Sequence, residues 1–447
     1  MTSGSIWKRM LFFALPVLLG NLFQQLYNTV DSLIVGNFLG SRALAAVTSS
    51  GSLIFMLVGF LNGISSGAGV VVASFFGAGD RGNLHRTVHT MVAFGLVFGL
   101  LMTFFGVVFS PQILNWMDTP ESVMEEAVAY LQIYFSGSFG FVMYNIFVGI
   151  LHAVGDSRHP LYYLIFSSFV NLVLDLLFIG VFRTGVGGAA VATVISQALS
   201  AGLCFLLLGK AEESYRVEIR KIRFDRRILA QIVRIGFPAG AQNSIISFAN
   251  IIVQSHINSF GETVMAGYGA YTKIEGFGFL PITSFMMALT TFVGQNLGAK
   301  EYERTRKGAR FGIWVSVILA ELIGALIFLF APYLIAAFDP SLEVVRFGVE
   351  KARTAALFYC LLAYSHSTSA VLRGAGKAIF PMGIMVLFWC VVRVAFLSVM
   401  VPLTKSIQAV YWVYPLTWFL SSVTFFVYYR KADWLPGQAD REQTGII

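Results

Sequence analysis

Charge is what this 447-residue chain has least of. Only 12% of its residues are Asp, Glu, Lys or Arg, about half the share found in an ordinary soluble domain. So few charges cannot keep a large surface wet, which excludes a soluble globular enzyme and an intrinsically disordered chain. Cysteine is nearly absent: Cys204, Cys360 and Cys390 all lie inside apolar runs. There is therefore no disulfide framework, and neither these three nor the six histidines show the spacing of a metal site. Long polar stretches are missing as well. What fills the chain is 57% hydrophobic residues, with 42 Phe and 43 Gly and a mean hydropathy of +0.74. That composition suits about twelve membrane helices of roughly 20–30 residues each.

Apolar runs between short polar breaks predict helices at 10–36, 44–76, 88–110, 123–151, 160–182 and 187–209. A second set is predicted at 230–258, 265–297, 309–337, 347–372, 380–402 and 407–429. The first run is too long for a signal peptide and has no clean cleavage site after it, so it reads as a retained helix. The chain thus divides into an N-terminal six-helix lobe (1–209), a basic linker (210–229), a second six-helix lobe (230–430) and a tail (431–447).

The net charge of +8 is spread over many loops rather than one basic face, so it reads as a topology signal and not as a nucleic-acid surface. With the N-terminus in the cytoplasm, 22 of the 31 Lys and Arg fall on the cytoplasmic side. The opposite side receives Arg42, Arg183, Arg346, Lys351, Arg353 and Lys405. Both termini are therefore expected in the cytoplasm.

The chain also repeats. A shift of 221 residues carries Gly40 to Gly261, Gly77-Ala78 to Gly298-Ala299, Pro111 to Pro332 and Asp118 to Asp339. It likewise carries Leu151 to Leu372, Gly155 to Gly376 and Pro160 to Pro381. Repeats of this kind mark secondary transporters, and an even number of helices per half gives both halves the same orientation. The fold class is an all-α integral membrane protein with twelve helices in two pseudo-symmetric lobes.

Ionisable groups inside a bilayer are functional candidates, because each costs several kcal/mol to place there. Asp31 lies about twenty residues into the first helix, in the outer half of the membrane at ~1.5 Å per residue. Asp175 reaches a similar level in the fifth helix, with Asn171 one turn earlier on the same face. Thr193, near the start of the sixth helix, falls at that depth too. Such oxygens suit a hard cation such as Na+. They suit a proton equally, since two carboxylates in low dielectric do not readily both stay charged. The plainer reading is a polar pair gluing helices together.

Several motifs then resemble one family. They are Pro16 followed by Tyr27-Asn28-Thr29-Val30-Asp31, Gly36-Asn37-Phe38-Leu39-Gly40, Gly294-Gln295-Asn296-Leu297-Gly298-Ala299, and Gly374-Ala375-Gly376 with Pro381. The chain resembles the multidrug and toxic compound extrusion (MATE) transporters over essentially its whole length, nearer their DinF-like and MepA-like bacterial branch than the NorM-like one. The resemblance implies a bacterial inner-membrane exporter of varied, often cationic and lipophilic compounds, driven by inward flow of protons or sodium ions. It assigns Asp31, Asn171, Asp175 and Thr193 to a cation site in the N-terminal lobe, and Pro16 to a bending point in the first helix. A static kink is the alternative at Pro16.

The second lobe departs from the NorM-like pattern. No acidic residue follows Pro238 within Ala239 to Ile246, so no cation site is expected there. Lys273 and Glu275 are two apart and face different ways, with Arg393 offered as a partner for Glu275 in a structural network. Glu321 and His256 have no evident partner. For a substrate cleft, Gln24 and Tyr27 share the Asp31 face, and Gln242 and Asn243 lie near the corresponding depth in the seventh helix. Most Met and Phe are expected to face lipid or neighbouring helices. No cofactor is expected; the partners are small lipophilic compounds and membrane lipid, the chain acting as a monomer.

Apparent enzyme motifs fail on context. Gly63-Ile64-Ser65-Ser66-Gly67 matches a nucleophile elbow but lies inside a helix, where small residues allow close packing. Gly374-Ala375-Gly376-Lys377 lacks the rest of a phosphate loop. Against the exporter stand a flippase or exporter of lipid-linked compounds or metabolites, which would line its cleft with Arg and Lys, and an intramembrane enzyme, whose residue constellations are missing.

Overall fold

Lipid offers the backbone no hydrogen-bond partner, so a chain of this composition must satisfy its peptide groups within helices. The computed structural model describes residues 1–117, 119–212, 214–432 and 434–435; among them are helices and turns but no strand. Asp118, the side chain of Arg42 and most of the tail lie outside the described residues. The helices are α1 (Ile6–Gly40), α2 (Leu53–Ala78), α3 (Arg81–Trp116), α4 (Glu121–Ser136 with Ser138–Val154), α5 (Arg158–Val181) and α6 (Val186–Gly209). The second half follows as α7 (Arg226–Asn258), α8 (Glu262–Gly298), α9 (Tyr302–Ala336), α10 (Leu342–Ala356 with Tyr359–Gly374), α11 (Ile379–Thr404) and α12 (Gln408–Lys431). Nine helices among the described residues are long and apolar enough to cross a membrane, and the bent pairs α4 and α10 bring the number to eleven. α7 is more polar, but its 33 residues span about 50 Å, ample for a bilayer. The protein is an all-α membrane protein of twelve transmembrane helices in two six-helix halves.

The repeat is visible in the backbone itself. α3, both parts of α4, and α5 begin at residues 81, 121, 138 and 158, while α9, both parts of α10, and α11 begin at 302, 342, 359 and 379. Every pair differs by 221. The packing repeats as well: α3 lies on α4, α4 on α6 and α5 on α6, just as α9 lies on α10, α10 on α12 and α11 on α12. Gly40 and Gly261 hold the matching left-handed φ values of 87° and 96°, a conformation that side chains with a Cβ resist.

Two bends were not legible as such in the apolar runs. α4 turns by 48° at Gly137 and α10 by 53° at Leu357–Phe358, again one repeat apart. A Cβ on Gly137 would sit 2.3 Å from Val194, so the bend coincides with a close approach of α4 to α6. In α10 the break frees backbone donors, and the Glu321 carboxylate of α9 accepts the N–H of Cys360 at 3.0 Å. Glu321 thus caps the second part of a broken helix.

The chain forms two compact units, Leu19–Val233 and Met1–Leu18 with Arg234 onward. The chain divides inside α1, two residues past Pro16, and again near the start of α7 at Val233–Arg234, just beyond the 210–229 linker that loop charge suggests. Loop charge cannot report which core a helix face enters. Met10, Phe13, Ala14 and Val17 join the apolar core that also contains Val253, Phe285 and Leu289. Arg304 of α9 secures the same segment, donating to the carbonyls of Gly4 at 2.7 Å and Met1 at 3.1 Å. The linker stays with the first unit, its Val217 buried. Within that unit Ser65 donates to the Asn145 carbonyl at 2.5 Å, so the Gly63–Gly67 motif serves helix packing.

Gly40 and Gly261 have no neighbouring atom within 4 Å of an added Cβ. Alanine at either position is therefore expected to cost about 1–2 kcal/mol through backbone strain alone. Thermal unfolding of the detergent-solubilised protein should show similar losses for Gly40→Ala and Gly261→Ala; no loss in either would contradict the strained conformation.

Candidate functional site

Asn171 and Asp175 are one helical turn apart on α5, and both are buried. The hydrogen-bond network fixes the Asn171 amide: its nitrogen donates to Asp175 Oδ2 at 2.9 Å and its oxygen accepts from the Thr193 N–H at 3.2 Å. Thr193 on α6 donates its hydroxyl to the Ala189 carbonyl at 3.1 Å. Asp31 on α1 brings a second carboxyl within hydrogen-bonding reach of Asp175. The four residues named from sequence therefore converge. Tyr27, one turn before Asp31, joins them through the Thr193 side chain. α5 leaves α-helical geometry immediately after Asp175, continuing as a π-helical turn over Leu176–Val181, a distortion that often accompanies functional positions.

The electrostatics of this cluster are one-sided. Asp31 Oδ1 and Asp175 Oδ1 are buried and have no hydrogen-bond partner. Among the described residues neither carboxyl forms an ion pair with Lys, Arg or His. Two carboxyls in contact without a basic neighbour require a shared proton or a bound cation to balance them. Tyr130 and Tyr134 of α4 complete the wall, their rings 6.5 Å apart. Nothing in the sequence separates these two from the other 15 of its 17 Tyr; only the fold brings them to the carboxyls.

Gln24 is half-buried on α1 and, among the described residues, forms no hydrogen bond to this cluster. Gln242 and Asn243 lie on α7 in the other unit, the former buried and the latter half-buried. Pro16 lies within the helical stretch of α1, where the backbone departs from helical angles only at Gly40.

The second unit holds a polar cluster of opposite sign. Lys351, counted from sequence among the outer loop charges, is instead buried within α10 at 1% exposure. Its ammonium has no hydrogen-bond partner and lies 3.6 Å from the Tyr414 ring centre and 5.5 Å from that of Tyr271. Arg393 is buried too, 4.3 Å from the Tyr414 ring centre, and donates to Thr417 Oγ1 at 3.1 Å. Arg393 does not ion-pair with Glu275, contrary to the sequence expectation. Glu275 instead accepts a hydrogen bond from Tyr271 at 2.7 Å and acts on both cations through space. Lys273 is exposed. Arg393, like Asp175, adjoins a π-helical turn, here Leu387–Val392. Among the described residues no group of His, Cys, Asp and Glu could hold a metal ion.

A two-unit helical membrane protein with an unneutralised carboxyl pair inside one bundle has the build of a secondary transporter. Comparison with known proteins makes this specific: the MatE family matches residues 16–177 and 238–399, and the chain belongs to that family. The two matched segments coincide with the two halves of the repeat. The "Probable multidrug resistance protein YoeA" of Bacillus subtilis is 29% identical over 434 residues, covering 95% of this chain and 94% of the relative. The "Probable multidrug resistance protein NorM" of Thermotoga maritima is 29% identical over 389 residues, 84% of this chain and 82% of the relative. Among solved structures, a MATE in the bent conformation superposes with a TM-score of 0.89 at 24% identity, over 95% of each chain. The protein is thus similar to multidrug transporters along nearly its whole length.

The Lys351 cluster yields a test of charge balance. Glu275→Gln leaves two buried cations uncompensated and should cost roughly 3 kcal/mol, whereas Lys351→Met should be close to neutral. In the double variant much of the loss should be recovered, since one source of the imbalance is gone. Denaturation of the three variants in detergent measures this; strictly additive losses would show that Glu275 and Lys351 do not interact.

Proposed function

We propose that the protein is a multidrug exporter that exchanges protons or sodium ions for lipophilic, often cationic compounds by alternating access. The observation that carries this reading is the contact between Asp31 and Asp175 without any basic partner. A carboxyl pair of this kind binds H+ or Na+ because nothing else nearby balances it. Asn171 orients Asp175, and Thr193 with Tyr27 supplies further oxygens. Asp31 sits on α1, the helix that begins in one unit and continues in the other. A change of charge at Asp31 is thereby delivered to a helix that belongs to both, with Pro16 as its bending point. Both termini face the cytoplasm of a bacterium in this reading, which the Lys and Arg distribution supports. Gln24, Tyr27, Gln242 and Asn243 are the proposed substrate contacts.

Ligands shift a conformational equilibrium only through unequal affinity for its two states. Cation binding must therefore weaken drug binding or alter access to the cleft, and where it weakens binding, drug by linkage weakens cation binding by the same factor. A flippase or exporter of anionic, lipid-linked compounds is the second reading, favoured by the buried Lys351 and Arg393.

In proteoliposomes, Asp31→Asn and Asp175→Asn should each abolish efflux of a fluorescent lipophilic cation driven by a pH or Na+ gradient. Normal coupled efflux in both variants would remove the assignment. Equilibrium binding supplies a second check: the parent's affinity for the cation should fall as Na+ or H+ rises, and this dependence should vanish in Asp31→Asn. Transport of an anionic fluorophore in preference to the cationic one would favour the second reading.

A further inference from the structure

The first unit contains a second polar feature that the carboxyl cluster does not use. A cavity of about 810 Å³ lies between the start of α3 and the 214–225 segment of the linker. Six Lys and Arg line it: Arg81, Arg86, Arg216, Arg220, Lys221 and Arg223. Its two carboxylates are already engaged. Glu218 accepts from Lys221 at 2.8 Å and lies 3.5 Å from His85; the Lys221 hydrogen bond, with that residue's charge, holds the Glu218 carboxyl below its usual range. Asp225 accepts the backbone N–H groups of Arg227 and Ile228 at the start of α7. Among the described residues Arg81, Arg86, Arg220 and Arg223 form no ion pair.

The cavity is held open by specific contacts rather than by a loose loop. His89 is buried, donates to the His85 carbonyl through Nδ1 at 2.7 Å, and accepts the Glu218 N–H at Nε2 at 3.0 Å. Thr90 accepts the Asp225 N–H at 3.2 Å. Both ends of the 218–225 stretch are thereby fastened to α3. The lining from Arg81 to Thr90 spans the first ~13 Å of that helix, the depth at which lipid headgroups meet water. The same linker stretch exposes two apolar side chains, Ile219 at 69% and Phe224 at 46%. Exposed apolar residues interleaved with Arg and Lys are the pattern of a segment lying on an anionic bilayer surface.

We propose that this pocket binds the phosphate headgroup of an anionic phospholipid, with Ile219 and Phe224 entering the acyl boundary beside it. The ligand class follows from the charge: four unpaired guanidinium groups around one cavity match phosphate oxygens in fork geometry. A phosphodiester with its glycerol fits the volume. The choice of a lipid over a free phosphate follows from the two exposed apolar side chains, which a soluble anion would leave uncovered. The site rests on the cytoplasmic orientation proposed above but not on the transport chemistry.

Native mass spectrometry of the full-length protein in detergent tests it, with phosphatidylglycerol, phosphatidylcholine and inorganic phosphate as separate probes. The parent should bind phosphatidylglycerol at least about tenfold more tightly than phosphatidylcholine, and phosphate at equal concentration should not displace the lipid. The exposed triple variant Arg86→Gln, Arg220→Gln, Arg223→Gln should weaken phosphatidylglycerol binding by at least about tenfold, each positive charge near an anionic surface contributing severalfold. The charge-matched control Arg183→Gln, Arg346→Gln, Lys405→Gln should bind as the parent does. Equal binding of the two lipids, or an unchanged triple variant, would overturn the proposal. Displacement of lipid by phosphate alone would overturn it in favour of a soluble phosphorylated ligand. Because the readout is binding, its failure is distinct from loss of coupled efflux in Asp31→Asn.

Discussion

Every peptide group that crosses the bilayer must find its hydrogen-bond partner inside the protein, and the rest of this structure follows from that constraint. It explains why the described residues contain helices and no strands. It also explains why the few departures from helix are so carefully placed. The left-handed glycines at Gly40 and Gly261 stand at helix ends. The bends at Gly137 and Phe358 recur at one interval, and at the second of them a carboxylate, Glu321, is spent on a single freed N–H. A side chain that costs several kcal/mol to bury is there to complete a backbone that lipid cannot.

The two units put the same scaffold to opposite electrostatic use. In the first, Asp31 and Asp175 meet with two oxygens unpartnered and, among the described residues, no ion pair to a base. In the second, Lys351 and Arg393 are enclosed by tyrosine rings, with Glu275 as their counter-charge. Aromatic faces offset part of the desolvation cost of a cation, so the second cluster is closer to self-balanced than the first. Among the described residues the carboxyl pair has no permanent counter-charge paired with it. That asymmetry is what supports the proposal that coupling runs through the N-terminal half of a repeated structure. The π-helical turns beside Asp175 and Arg393 show that both halves deform the helix next to a buried charge.

Periodicity, charge distribution and the 221-residue offset made the helix count, the repeat and the carboxyl site legible before any coordinates. The physical reason is that each is a one-dimensional property. A span needs about twenty apolar residues in a row, and depth along a helix is proportional to residue number, so Asp31, Asn171, Asp175 and Thr193 could be matched by counting. Counting failed where the third dimension decides. Lys351 stood near a loop by number, yet α10 buries it against the rings of Tyr271 and Tyr414. Tyr130 and Tyr134 resembled many other aromatic residues until α4 was packed beside α6. The first eighteen residues belong with the second half because Met10 and Phe13 fill its core, and which core an apolar face enters is a matter of shape. Linear pattern thus settles what must be buried and at what depth; the packing of helices against one another settles which buried groups meet.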